Sequence, residues 1–136
     1  MTAAPVLSRN FDRPEALTLA GYRASGGYEA LSRALRLGPE GIAAEVRKAN
    51  LRGLGGAGFP TATKWGFIPA KRTGPVYLVV NADEGEPGTF KDRTIMERNP
   101  HSVVEGCIIG CFGIGAHTAY IYVRDELHLS LSLIHI

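Results

Sequence analysis

The sequence has few cysteines and none of the features of a secreted or membrane-spanning chain. Cys107 and Cys111 are its only two cysteines, too few for a disulfide framework. The longest weakly polar run, Gly106–Ala116, is far too short to cross a bilayer. The first residues show neither the basic stretch nor the apolar core of a secretory signal. We therefore expect a reducing, cytoplasmic setting.

The sequence also lacks a run of basic residues, an internal repeat and a low-complexity segment. Basic residues do not alternate with aromatic ones, so nucleic acid is not an expected partner. The formal net charge is +2, but residues 1–75 carry +6 and residues 76–136 carry −4. This uneven distribution favours an anionic ligand near the first half of the chain.

Patterns for metal sites and catalytic triads are absent as well. Zinc and iron–sulfur sites usually take four ligands, which two cysteines and four scattered histidines do not provide. Cys107 and Cys111 fall on one predicted helix, where we expect buried thiols. No serine, histidine and acid combine as a triad, and Lys91, Asp92 and Arg93 are typical of a solvated helix start.

Glycine, in contrast, is concentrated in one stretch, Leu51–Phe67, with the sequence LRGLGGAGFPTATKWGF. Dense glycine indicates sharp bends or the close approach of another group. A helix predicted to begin near Pro60 carries Lys64, an arrangement that suits a bound phosphate. Gly53–Gly58 formally fits G-x-G-x-x-G, but a predicted helix, Pro39–Ala49, precedes it where a Rossmann fingerprint needs a strand. We therefore reject the ordinary Rossmann interpretation of this loop.

Three aromatic residues, Phe59, Trp65 and Phe67, lie beside the glycine loop. Flexible linkers rarely carry so many aromatic side chains at their edge. The combination suggests a site for a nucleotide that has a ring system. A flexible surface loop remains the alternative.

A second candidate site follows the predicted strand Val76–Val80, whose continuous apolar residues predict burial on both faces. Its polar members are Asn81, Asp83, Glu84 and Glu86. Open α/β sheets bind ligands at the carboxyl ends of their strands. Crowded carboxylates tend to raise at least one pKa, and they accept hydrogen bonds from ribose hydroxyls and flavin N–H groups. A solvated acidic turn is the alternative.

The predicted order of elements places helices on both sides of two strands. Helices are expected at 28–37, 39–49, near 60, at 90–98 and at 100–114, and strands at 76–80 and 118–123. Strands joined by helical connections imply a parallel sheet. The fold class is therefore α/β, in which an N-terminal helical segment, 1–50, precedes a partial, Rossmann-like parallel sheet within 51–130.

Three stretches of the sequence together resemble one known family. They are LRGLGGAGFPTATKW, NADEGEPGTFKDR and PHSVVEGCIIGCFGIGAHTAYIYVR. Over residues 7–127 the chain is similar to the NADH-binding flavoprotein subunit of respiratory complex I, an NADH:quinone oxidoreductase. The resemblance implies that FMN accepts a hydride from NADH and that electrons then pass to iron–sulfur clusters.

The resemblance also implies roles for individual residues. FMN would be bound by Gly53, Gly55, Gly56, Lys64, Asn81, Asp83 and Glu84. Phe59 and Phe67 would stack with the adenine of NADH. Glu86 would lie near the nicotinamide, as a substrate-binding residue and the candidate catalytic one.

The chain departs from the family pattern at three places. Leu54 replaces the usual arginine of the glycine loop, which removes a cation near the phosphates. Ala62 and Thr63 stand where glycine and leucine are common, and Asp125 stands where glycine is common. None of these changes falls on the residues implied to bind FMN or NADH.

The family's chain also continues well beyond the length present here. That continuation holds further FMN-binding residues and the cysteines of a [4Fe–4S] cluster. Leu131–Ile136 matches an in-frame translation of an adapter used in transposase-based sequencing libraries, so we expect the coding sequence to stop near Leu129 or Ser130. We expect the 136-residue chain, expressed alone, to be unstable and to have little NADH oxidase activity.

The resemblance begins close to Met1, which favours the respiratory form over the flavin subunit of an NAD-linked hydrogenase or formate dehydrogenase. It implies other subunits of the hydrophilic arm as partners, notably the [2Fe–2S] subunit. These subunits would place the protein at the periphery of the bacterial inner membrane. A nucleotide-binding module without redox chemistry is the alternative of a different class.

Overall fold

The computed structural model describes residues 4–127, 129, 130 and 132. Within these residues, a short 3-10 turn is followed by five α-helices and two strands: Pro14–Leu17, α1 Leu19–Ala24, α2 Glu29–Lys48, α3 Thr61–Trp65, β1 Tyr77–Ala82, α4 Lys91–Arg98, α5 Pro100–Ile114 and β2 Thr118–Val123. The hypothesis of an adapter sequence concerns Leu131–Ile136, of which all but Ser132 lie outside the described residues. Within the described part of the chain, no helix is long and apolar enough to cross a membrane.

The two strands form a parallel sheet, as predicted. Tyr77 pairs with Thr118 at one end of the register, and Ala82 pairs with Val123 at the other. The connection runs through α4 and α5, and α5 packs on the sheet. A side chain at Gly110 of α5 would place its Cβ 3.3 Å from Leu78, so glycine permits this close packing. The α/β fold class is confirmed.

The prediction that both faces of the first strand are buried is wrong for the described residues, and the second strand is also exposed on one face. Tyr77, Val79, Tyr120 and Tyr122 are 50%, 66%, 57% and 61% exposed. Successive side chains of a strand point to opposite faces, and α5 covers only one of them. The continuous apolar residues of β1 predicted a covering layer on each face of the sheet, and the described residues provide a layer on one face only.

Helix α2 contains the break that the sequence predicted. Gly38 has φ 71° and ψ 172°, which kinks the helix immediately before Pro39. Proline cannot donate a backbone hydrogen bond, and glycine adopts this left-handed conformation without strain. Across the kink, Nη2 of Arg33 lies 2.9 Å from Oε2 of Glu45. The predicted helices 28–37 and 39–49 are thus the two arms of α2, which packs against α3 and α5.

A buried polar cluster joins α1 and the start of α2 to α5. The carboxylate of Glu105 accepts hydrogen bonds from the Tyr22 hydroxyl at 2.7 Å, from the Tyr28 N–H at 3.1 Å and from the Leu31 N–H at 2.9 Å. The rings of Tyr22 and His101 stack at 5.3 Å. Burial and the hydrogen bond to Glu105 raise the pKa of Tyr22 to about 12. The sequence did not predict that these residues form one polar cluster.

His101 makes the stability of this cluster dependent on pH. Its ring is 1% exposed, and burial lowers its pKa below the ordinary value. The Leu17 carbonyl only partly opposes this shift, and the Tyr28 hydroxyl lies 3.0 Å from Nδ1 of the ring. Because the folded state takes up the proton less readily than the unfolded chain, we expect full stability above about pH 6.5 and falling stability below it.

Urea unfolding followed by circular dichroism between pH 7.5 and pH 5.5 would measure this dependence. A single proton limits the slope to about 1.4 kcal/mol per pH unit. The His101→Phe variant keeps the stacked ring and removes the titrating group, so its slope should be smaller. An equal slope in both proteins would contradict the assignment to His101.

Candidate functional site

The glycine loop is closed at its base by backbone hydrogen bonds. Arg52 and Pro60 form an antiparallel bridge. The Gly53 N–H donates to the Phe59 carbonyl at 2.9 Å, and the Thr61 N–H donates to the Leu51 carbonyl at 2.9 Å. The loop therefore leaves α2 and returns as a hairpin before α3 begins at Thr61. A helix precedes it and a helix follows it, as the sequence predicted.

The glycines of this loop have two different explanations. Gly56 and Gly58 have φ values of +104° and +60°, which other residues adopt only with strain. Gly55 has no positive φ, and a Cβ at that position would meet no atom within 4 Å. Gly53 also lacks a positive φ, and its Cβ would make only an ordinary contact with the Phe59 carbonyl at 3.7 Å. The described fold therefore does not require glycine at position 53 or 55. At Gly55 the missing side chain leaves open space in which another group can approach the backbone.

The acidic loop, residues 83–90 between β1 and α4, is held by side-chain hydrogen bonds at the ends of both strands. Oδ1 of Asn81 accepts the Asp83 N–H at 2.9 Å. Oδ1 of Asp83 in turn accepts a hydrogen bond from Nε of Arg124, which follows β2, at 3.1 Å. Because β1 and β2 are parallel neighbours, their carboxyl ends lie at one edge of the sheet and bring Asp83 and Arg124 together.

Glu84 caps the N-terminus of α4. Its two oxygens accept the Asp92 N–H at 2.7 Å and the Arg93 N–H at 3.2 Å. Burial, the largest influence, would raise the pKa of Glu84, but the N–H groups of Asp92, Arg93 and Lys91 and the charge of Lys91 together lower it. A helix N-terminus favours negative charge. Crowding by neighbouring carboxylates therefore does not raise the pKa of Glu84.

The glycine loop and the acidic loop face each other across a cavity of about 520 Å³. Its lining residues come from both loops and from the start of α4: Leu54, Gly55, Asn81, Asp83, Glu84, Gly85, Glu86, Thr89, Lys91 and Asp92. Four of them are carboxylates, and one, Lys91, is a cation, whose Nζ lies 2.5 Å from Oδ1 of Asp92. The volume lies within the range of small-molecule sites, about 300–1,000 Å³.

Other residues predicted for the site do not line this cavity. Phe59 and Phe67 form a separate exposed pair, with ring centroids 5.9 Å apart and planes tilted by 47°. Lys64 is exposed on α3, and Gly53 and Gly56 lie in the glycine loop outside the lining. Trp65 is half-buried and packs against α5, since a Cβ at Gly113 of α5 would lie 3.2 Å from its ring.

Comparison with known proteins identifies the family. Residues 46–134 match the Nuo51 FMN-binding domain. The chain belongs to this family. It is 55% identical to an NADH-quinone oxidoreductase subunit of Rhizobium meliloti over 123 residues, covering 90% of the chain and 29% of the relative. It is 50% identical to the corresponding subunit of Streptomyces coelicolor over 132 residues, covering 97% of the chain and 29% of the relative.

Solved structures of an NAD+-reducing [NiFe]-hydrogenase are similar to the Nuo51 FMN-binding domain in fold. The H2-reduced state aligns with a TM-score of 0.72 at 37% identity, covering 97% of this chain and 21% of that one. The air-oxidised state aligns with a TM-score of 0.67 at 37% identity, covering 98% and 20%. The chain thus spans less than a third of the two oxidoreductase relatives and about a fifth of the hydrogenase chain.

Sequence reasoning missed three cations of this Nuo51 FMN-binding domain. Lys91 lines the cavity, although a solvated helix start was predicted there. Arg124 holds Asp83, and Nη1 of Arg52 donates to the Gly58 carbonyl at 3.1 Å. The position of Arg124 directly after β2 was a usable signal, because parallel strands end at the same edge of a sheet.

The two cysteines of the Nuo51 FMN-binding domain are partly buried free thiols on α5. Burial raises the pKa of both Cys107 and Cys111, and the neighbouring thiol adds to the effect at Cys107. Raised values favour the unreactive thiol form. No group of three or more metal-ligating side chains occurs within the residues that the structure describes.

Proposed function

We propose that the chain is the FMN- and NADH-binding part of an electron-entry subunit of NADH:quinone oxidoreductase. The observation that carries the proposal is the cavity in which the glycine loop meets the acidic loop. The family is one of FMN-binding domains, and relatives that are 50–55% identical are subunits of NADH-quinone oxidoreductase. When bound, FMN supplies the hydride acceptor and the release of single electrons to iron–sulfur clusters.

The residues of the cavity fit different parts of FMN. In the glycine loop, the backbone N–H groups of Gly55 and of the adjacent Gly56 favour the phosphate, and the open space at Gly55 lets a ligand approach the backbone. The Gly53 N–H already donates to the Phe59 carbonyl, so Gly53 would help to shape the loop. The oxygens of Asn81 and Asp83 accept hydrogen bonds from ribityl hydroxyls or ring N–H groups. The four carboxylates disfavour a phosphate near the acidic loop, so its charge is best placed by the glycine loop and Lys91.

Glu84 and Lys64 have more restricted roles in this proposal. Both oxygens of Glu84 accept helix N–H groups, so this residue shapes the acidic loop and contacts FMN only through its remaining lone pairs. Lys64 lies outside the cavity lining and would act on the phosphate through its charge.

NADH would bind beside this cavity. Phe59 and Phe67 provide an exposed aromatic pair for the adenine. The side chain of Glu86 lines the cavity, where it would orient the nicotinamide end. The residues of the chain thus bring donor and acceptor rings together, which is the protein's main contribution to hydride transfer.

The partners and the cellular location follow from the same proposal. The electron acceptors would be iron–sulfur clusters of the full-length subunit and of other hydrophilic-arm subunits, notably the [2Fe–2S] subunit. The protein would lie at the cytoplasmic side of the bacterial inner membrane. The hydrogenase structures support the flavin subunit of an NAD-linked hydrogenase as a second candidate.

Titration with FMN tests the proposal. The measurement uses the 136-residue chain and a chimera in which this chain replaces the matching segment of the Rhizobium meliloti relative. We expect the chimera to quench flavin fluorescence at one FMN per polypeptide, and its bound flavin to be bleached by NADH without oxygen. The chimera guards against the expected instability of the chain alone. A folded chimera that binds no FMN would overturn the proposal.

Leu54→Arg is expected to strengthen FMN binding about fivefold, which corresponds to about 1 kcal/mol for an exposed charge interaction. Leu54 is 85% exposed and lines the cavity, so an arginine there can reach a phosphate without displacing packed side chains. The gain should shrink at high salt. Leu54→Gln, which adds polarity without charge, should bind like the original protein, and a similar gain in that variant would contradict the electrostatic explanation.

A further inference from the structure

Arg52 joins the two sides of the glycine loop through its side chain. Its Nη1 donates to the Gly58 carbonyl at 3.1 Å, while its backbone forms the bridge with Pro60. Arg52 is the only cationic residue in the stretch from residue 51 to residue 63. The Arg52 side chain thus links the start of the glycine loop to Gly58 near its end.

The hydrogen bond from Arg52 fixes the orientation of one peptide group. The peptide between Gly58 and Phe59 is planar and trans, so its N–H points away from the carbonyl that Arg52 holds. Gly58 has a φ of +60°, and glycine passes between conformations at little cost. Without the guanidinium, this peptide could rotate, and the path of the backbone through Gly55 and Gly56 would change with it. The N–H groups of Gly55 and Gly56, which the proposed function assigns to the phosphate, would then lose their orientation.

We propose that Arg52 is a positioning residue that holds the glycine loop in the form that selects a phosphorylated flavin over the same flavin without phosphate. This inference rests on the proposed function of the glycine loop. It adds that the preference for the phosphorylated flavin depends on Arg52, which holds the backbone of the glycine loop through the Gly58 carbonyl.

The test compares FMN with riboflavin, which lacks only the phosphate. Fluorescence titrations of the chain and of the chimera give both dissociation constants, and their ratio is the selectivity. We expect Arg52→Ala to weaken FMN binding about tenfold and riboflavin binding less than about twofold. Arg52→Lys keeps one N–H donor for the Gly58 carbonyl and should recover part of the ratio. Arg36→Ala, which removes an exposed arginine of α2, should leave it unchanged.

Salt separates positioning from direct charge attraction. A loss caused by the loop conformation should be similar at about 50 mM and about 500 mM salt, whereas a loss of direct attraction to phosphate should shrink at the higher concentration. Two outcomes for Arg52→Ala would overturn the inference. One is an unchanged ratio of the two dissociation constants, which includes an equal loss of affinity for both flavins. The other is a loss of FMN affinity that disappears at high salt. If Arg52→Ala does not fold, Arg52→Lys and Arg52→Gln decide by the same ratio. Absence of FMN binding in the unsubstituted chimera would instead overturn the proposed function.

Discussion

Replacing Glu105 with alanine is expected to lower the free energy of unfolding by about 3 kcal/mol or more, since each buried group left unsatisfied costs about 1–3 kcal/mol. The substitution removes the shared acceptor of the Tyr22 hydroxyl and of the Tyr28 and Leu31 N–H groups. The Glu105 side chain is almost completely buried, so water cannot readily replace it. The contact between the N-terminal helices and α5 should weaken as a result.

Urea unfolding of the chain, or of the chimera, measures this effect. Glu105→Gln retains one acceptor oxygen, so its free energy of unfolding should lie between those of the original protein and of Glu105→Ala. Tyr22→Phe removes a single hydrogen bond and should cost about 1 kcal/mol. Glu126→Ala is the matched control. The long, exposed ion pair between Glu126 and Arg124 should contribute less than about 1 kcal/mol to the free energy of unfolding. A loss below about 1 kcal/mol in Glu105→Ala would contradict the central role of this carboxylate.

Substitutions at Gly55 are expected to separate ligand binding from folding. A Cβ at Gly55 meets no atom of the described protein, so Gly55→Ala should leave the free energy of unfolding unchanged. The same Cβ would occupy the cavity wall where we place FMN. We expect Gly55→Ala to weaken FMN binding about tenfold and Gly55→Val about a hundredfold, consistent with about 1–3 kcal/mol for overpacking.

Gly56→Ala provides the contrast for this experiment. Its φ of +104° makes any other residue strained, so this variant should lose about 1–3 kcal/mol of stability. Unfolding curves and FMN titrations on both variants therefore give different patterns. Normal FMN affinity in Gly55→Val would show that the glycine at 55 does not serve the ligand, and the proposed site would need to be moved.

Local features of the fold could be predicted from the sequence. The break in α2 was predicted because Gly38 and Pro39 act on the backbone within one turn. The parallel pairing of the strands followed from the helical connection between them. Both glycine-loop and acidic-loop segments could be recognised as candidate site elements, since each is a short run of unusual composition.

The neighbours of the acidic residues could not be predicted in the same way. The partner of Asp83 is Arg124, 41 residues away, and the partner of Glu84 is a helix start eight residues away. A run of carboxylates looks mutually repulsive until these donors are known, and at Glu84 the donors lower the pKa. The Glu105 cluster was missed for the same reason, because its donors lie more than 70 residues earlier.

The sequence by itself determined the family, the α/β class and the two loops, because motif composition and chain order are local properties of the residues. Only the tertiary structure decided that Gly55, Glu86 and Lys91 line one cavity, that Arg52 holds the glycine loop, and that one face of the sheet is exposed among the described residues. These features depend on contacts between segments far apart in the chain. Packing alone establishes such contacts, because no local preference specifies which distant groups will satisfy a buried or charged side chain.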